Sequence, residues 1–170
     1  MNKIELIKAE RDGLEIKSDL QRFAEEGWES ISEDDIQRLK WYGLFLRNPT
    51  PGYFMLRVRI PNGFSFSHQV RALSWIAETY GNGVIDITTR QQVQLRHLKI
   101  ENIPKIFTLL EEVGLTTSQT GMDNVRNIMG CPVSGLSPKE KVDAYSLVKM
   151  LNEHIVGNPE FSNLPRKFNI

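Results

Sequence analysis

Arginine is the residue type whose placement in this chain points to chemistry. Arg57 and Arg59 alternate with Phe54, Leu56, Val58 and Ile60, Arg90 and Arg96 bracket a second alternating run, Arg126 sits in a glycine-rich loop, and Arg166 and Lys167 lie near the last residue. A guanidinium is planar, keeps its proton and donates paired, charge-assisted hydrogen bonds, which suits carboxylates and oxyanions. Residues two apart on a strand share a face, so Arg57 and Arg59 project to one side. On the residues alone two readings of that side stand, a solvated face or an anion site. Other chemistries find less support. His68, His97 and His154 have no second ligand at a metal-binding spacing. Cys131 is the only cysteine, too few for a disulfide within the chain, a zinc site or an iron–sulfur cluster, and beside Pro132 it reads as a small buried hydrophobe. Gly81-Asn82-Gly83 lacks the downstream pattern of a phosphate loop and reads as a helix stop.

The elements that must position these arginines follow from period and punctuation. Residues 1–17 mix charges with scattered Ile and Leu at no clear period, the pattern of an arm laid along a partner surface or left mobile. Ser32 with the acids after it caps a short helix ending at Gly43, and Asn48 to Gly52 read as a loop that forbids regular structure. A strand is predicted over 53–60, with one apolar and one arginine face. Ser67 is placed to cap a helix carrying Val70, Leu73, Ala77 and Tyr80, strands are predicted over 84–89 and 92–98, and Asn102 and Pro104 open a helix through Val113. Strand, helix, strand, strand, helix is the order of a ferredoxin-like α+β unit. Residues 116–135 read as a long functional loop. Ser137-Pro138-Lys139-Glu140 has the form of a capping box, opening an amphipathic helix to Gly157.

Composition narrows the classes further. Lys plus Arg and Asp plus Glu both number 21, so no global charge steers the chain to nucleic acid or to an anionic membrane. No apolar run approaches the roughly 20 residues that span a bilayer. The opening MNKIELIKAERDGLEIK has no hydrophobic signal core and is too acidic for a transit peptide. The expectation is a cytoplasmic protein of bacterial type, or a mature organellar one such as a chloroplast stromal enzyme. The last residues, Leu164-Pro165-Arg166-Lys167-Phe168-Asn169-Ile170, look like an interrupted strand, which suggests a truncated chain.

Four blocks make the sequence recognisable. Leu44-Phe45 with Phe54 to Gly63, Ile87-Thr88-Thr89-Arg90-Gln91, Gly121-Met122-Asp123-Asn124-Val125-Arg126-Asn127, and Leu164 to Asn169 resemble, in the same order, the ferredoxin-dependent nitrite and sulfite reductases. The resemblance runs from about Trp41 to the last residue, and the first 40 residues carry less of it.

What the resemblance implies is specific. Those enzymes use sirohaem, a tetrapyrrole with eight carboxylates, bridged through a cysteine to a [4Fe–4S] cluster, with reduced ferredoxin as electron donor. Arg57 and Arg126 match the pair that holds the anionic substrate, Lys167 and Asn169 match the last two substrate contacts, and Arg90, with Arg59 and Arg126, falls to the sirohaem. Sulfite enzymes usually carry a second lysine where this chain has Asn169, so Lys-x-Asn favours nitrite over sulfite. The implied organisation is an N-terminal helical arm over 1–42, a ferredoxin-like half-domain over 43–114, and over 115–170 the beginning of the sirohaem and [4Fe–4S] domain. The cluster cysteines lie beyond these residues, as does the second half of the polypeptide, so the chain alone is expected to be inactive and to retain neither cofactor. The remaining alternative is a non-catalytic module that binds an anion or a tetrapyrrole.

Overall fold

The fold is described from a computed structural model covering residues 2–170. Its elements in chain order are α1 (Lys3–Glu10), α2 (Leu20–Glu26), α3 (Glu33–Arg38), β1 (Leu44–Arg47), β2 (Thr50–Val58), α4 (Ser67–Tyr80), β3 (Ile85–Ile87), β4 (Val93–Leu98), α5 (Ile103–Glu112) and α6 (Tyr145–Ile155), with short 3₁₀ turns between several of them.

The strands form one antiparallel sheet in the order β1-β2-β4-β3. The alternation along β2 has the predicted effect on one side: Phe54, Leu56 and Val58 are fully buried against Leu73, Ile76 and Ala77 of α4 and Ile103, Ile106 and Leu110 of α5. Burial of this apolar layer, at roughly 25 cal/mol per Å², is what fixes the strand register, since a one-residue slip would turn Arg57 and Arg59 into the core. The chain is therefore a ferredoxin-like α+β fold, with one departure. The sheet position beside β2 is filled by β1, which precedes it, while the chain after α5 contributes a single bridge, Thr116 to Arg59.

Several expectations are corrected. Residues 48–52 do not exclude regular structure: β2 already begins at Thr50, and Pro51 is tolerated opposite the register shift between Leu46 and Arg47, before pairing with β4 starts at Phe54. The N-terminal arm is neither mobile nor free. Asn2 caps α1, Asp12 caps the turn over Gly13–Asp19, and Ile7, Ile16, Leu20 and Phe23 are buried. Its period is hidden because the helical pieces are short and each turns a different face inward. At the other end the apparent capping box does not start a helix. The Glu140 carboxylate is engaged by the Gly135 N–H and the Ser134 hydroxyl, and α6 begins only at Tyr145, whose N–H donates to Asp143. Helix α6 packs through Val148 and Ile155 on Val125 and Ile128, a second small core beneath the long loop. Cys131 is exposed, against the expectation that it is buried.

Candidate functional site

The arginine side of β2 is covered, so the solvated-face reading fails. The backbone N–H of Arg59 bonds to Thr116, and the chain from there to Ile128 runs over this side of the sheet, with Ser118, Gln119, Thr120, Asn124 and Asn127 all buried. Asn127 ties the loop down through its Nδ2, which donates to the carbonyls of Ile60 (2.7 Å) and Arg90 (3.0 Å). Gly121 permits the close approach, because a Cβ there would sit 2.2 Å from the Lys40 carbonyl oxygen.

Arg57 stands opposite Gln94 on β4, half-buried, with its guanidinium carbon 4.9 Å from the Phe45 ring centroid. It donates to the Thr120 carbonyl at 3.2 Å, and Arg126 donates to the same oxygen at 2.8 Å. Two guanidiniums sharing one acceptor repel each other, and the proton affinities register it. Burial lowers the pKa of Arg57, while that of Arg126 is lowered first by burial and then by Arg57, with Asp123 partly offsetting. Arg90, on the β3–β4 turn, donates to the carbonyls of Asn127 (2.7 Å) and Ile170 (3.1 Å), and its charge also depresses Arg126. The Nε atoms of Arg57 and Arg90 are buried without a partner. Among the described residues no side-chain carboxylate lies within ion-pair distance of Arg57, Arg59, Arg90 or Arg126.

Arg59 has a different place from the one the resemblance implied. It is 1% exposed, and its five N–H groups are all taken: by the carbonyls of Ser118, Arg126, Gln119 and Val125 and by the Asn152 side chain of α6. None remains for a tetrapyrrole carboxylate. Burial, with repulsion from Arg126 and Arg90, lowers its pKa to about 10. It is a clamp on the loop, not a ligand contact.

The last segment returns to the same loop. Phe168 pairs in parallel with Val125, the Arg126 N–H bonding to its carbonyl at 2.8 Å, and Lys167 and Asn169 flank it with exposed side chains. The structure thus gathers Arg57, Arg90 and Arg126 around residues 120–127 and brings the Lys167–Asn169 stretch alongside. A partly buried cationic cluster with orphaned donors and no side-chain carboxylate in ion-pair contact is a donor set for anions, and its chemistry suits the carboxylates of a tetrapyrrole as well as a small oxyanion. The sequence reading missed Phe45, Thr120 and Asn127 as its supports. A loop so rich in Thr, Ser and Asn was the available signal, since such side chains bond to backbone.

Comparison with known proteins shows what the chain is similar to. Two family models match, the nitrite/sulfite reductase ferredoxin-like half domain over residues 47–113 and the nitrite and sulphite reductase 4Fe-4S domain over residues 121–170. A ferredoxin–nitrite reductase of Leptolyngbya laminosa is 51% identical over 100% of this chain and 34% of its own length. The chloroplastic ferredoxin–nitrite reductase of Arabidopsis thaliana is 40% identical over 100% of this chain and 31% of its own. The solved structure of Mycobacterium tuberculosis NirA superposes with a TM-score of 0.93 at 29% identity, over 99% of this chain and 34% of that one. The chain spans about a third of the length of the curated relatives it matches. No helix among the described residues is long and apolar enough to cross a membrane.

Proposed function

Because the chain belongs to the nitrite and sulfite reductase family, we propose that it forms the anion-binding part of a ferredoxin-dependent nitrite reductase, which converts nitrite to ammonium. The observation that carries the reading is the cluster of Arg57, Arg90 and Arg126, half-buried and, among the described residues, without a side-chain carboxylate in ion-pair contact. In this reading residues 1–42 are a helical cap, 43–114 the ferredoxin-like half-domain, and 115–170 the start of the sirohaem and [4Fe–4S] domain.

Nitrite, six electrons and eight protons give ammonium and two waters, with reduced ferredoxin as the reductant. Negative charge must gather on the nitrite oxygens as the two N–O bonds break. Arg57 and Arg126, held in place before the anion arrives, stabilise that charge without reorganising, and in a dry site such donors act most strongly. Lys167 adds a third cation that can hold a proton near a departing oxygen. Asn169 donates hydrogen bonds without charge, which suits a monoanion better than a dianion. Arg90, with Arg126, is assigned to the tetrapyrrole carboxylates. Sirohaem with its [4Fe–4S] cluster supplies the electron chemistry when bound. Cys131 is the one cysteine in the sequence and a cluster takes four, so these residues serve the anion and the tetrapyrrole, not the cluster.

The test is ferredoxin-dependent turnover of nitrite and of sulfite by the full-length polypeptide, with Arg57→Ala and Arg126→Ala beside the parent. Loss of one charged hydrogen-bond donor should raise KM for nitrite roughly tenfold or more. A parent that prefers sulfite, or variants with unchanged KM and kcat, would defeat the assignment.

A further inference from the structure

Side chains from the N-terminal segment reach both limbs of the candidate site. Lys8 on α1 has a side chain only 5% exposed, and its ammonium meets three acceptors: Glu5 Oε1 at 2.7 Å, Asp123 Oδ2 at 3.2 Å and the Leu164 carbonyl at 2.9 Å. The Asp123 and Leu164 contacts are hydrogen bonds, and Glu5 adds an ion pair from the same helix. Asp123 lies three residues before Arg126, and Leu164 three before Lys167. One side chain therefore joins the two stretches that carry the substrate-side cations.

Those stretches need such a joint. Between them run sparse backbone bonds, Leu164 N–H to Asp123 (2.9 Å), Phe168 N–H to Asn124 (3.2 Å), Arg126 N–H to Phe168 (2.8 Å) and Met129 N–H to Ile170 (3.2 Å), with Arg90 bridging Asn127 and Ile170 at the far end, and residues 165–170 are exposed. A two-stranded ribbon of that kind is marginal by itself. Helix α1 is in turn anchored to the body of the fold. Arg38, 5% exposed, donates to the Ile7 carbonyl at 3.1 Å and pairs with Glu10, while Asp12 accepts from Asn163 Nδ2 at 3.0 Å. Keeping a nearly buried ammonium charged is unfavourable unless every partner is fixed, so the arrangement holds Asp123 and Leu164 in register.

We propose that Lys8 is a positioning residue for the anion site, tethering the Arg126 loop to the Lys167–Asn169 segment so that both face one space. The proposal deepens the reductase reading and rests on it for the identity of the anion.

The experiment compares Lys8→Met, which keeps the stem and removes charge and donors, with Lys8→Arg, which keeps both, in the full-length protein. Amide hydrogen exchange, measured without any anion, reports the tether, and KM and kcat for nitrite report its consequence. Residues 123–128 and 164–170 should exchange at least about tenfold faster in Lys8→Met, with 54–58 and 93–98 unchanged and Lys8→Arg close to the parent. KM for nitrite should rise in parallel. Should Lys8→Met not fold, Lys8→Gln, with a neutral donor, carries the same comparison. Faster exchange confined to α1, equal acceleration throughout the sheet, or a loosened segment with unchanged KM would each overturn the proposal. Failure of the reductase reading shows separately, as parent protein that binds no nitrite.

Discussion

Replacing Arg59 by Met should destabilise the fold by about 2–5 kcal/mol. Two opposed quantities set that figure. The guanidinium is buried and its pKa is lowered from the ordinary arginine value to about 10, so carrying the charge inside costs about 3 kcal/mol at neutral pH. The sign follows from its being a cation with a folded pKa below the unfolded one. The penalty is present in full below about pH 10 and is released only as pH rises through that value, where the unfolded chain still holds the proton. Methionine removes this penalty but strands five acceptors. Each costs roughly 1–3 kcal/mol, and carbonyls tolerate a lost partner better than N–H groups do, so a total of about 5–8 kcal/mol is reasonable. The difference is the predicted loss. Urea denaturation at pH 7, followed by circular dichroism, measures it, and Arg59→Lys, with three donors in place of five, should fall between the two. A stability equal to or above that of the parent in Arg59→Met would show that the burial cost dominates and that Arg59 does not clamp the loop.

Three further outcomes are expected. Asn169→Lys should shift the ratio of sulfite to nitrite turnover toward sulfite, because a second ammonium compensates a dianion, and an unchanged ratio would remove Asn169 from specificity. Gly13→Ala should lower the melting temperature, since its Cβ would lie 2.1 Å from Cδ2 of the fully buried Trp41 and overpacking costs roughly 1–3 kcal/mol; an unaltered melt would mean that the N-terminal segment is not seated there. Ile87 is 82% exposed on the edge strand β3, so the 170-residue chain should self-associate and Ile87→Lys should suppress this in light scattering. Equal scattering from both would place the sticky surface elsewhere.

The apolar half of the sheet was legible in the sequence and the polar half was not, for one physical reason. Burial of Phe54, Leu56 and Val58 is written in a period of two, which any strand with one inward face must show. The same period says that Arg57 and Arg59 share the other face, but not what covers it, because the cover is an irregular loop whose hold on the sheet is made of backbone carbonyls that every residue type carries alike. That is why Arg57 and Arg59, alike in sequence, part company in the fold. One keeps an unpartnered buried Nε beside Arg126, and the other spends all five donors on residues 118–126 and Asn152. The N-terminal segment failed to declare itself for a related reason, since Ile7 and Ile16 are buried by separate short helices with no shared phase. The false helix start at Ser137 shows the converse limit. A capping pattern specifies which bonds a local helix end would make, and Glu140 found stronger ones with Ser134 and Gly135. Local grammar therefore predicts elements where packing agrees with it, while long-range polar bonds, on which an anion site depends, belong to the fold as a whole.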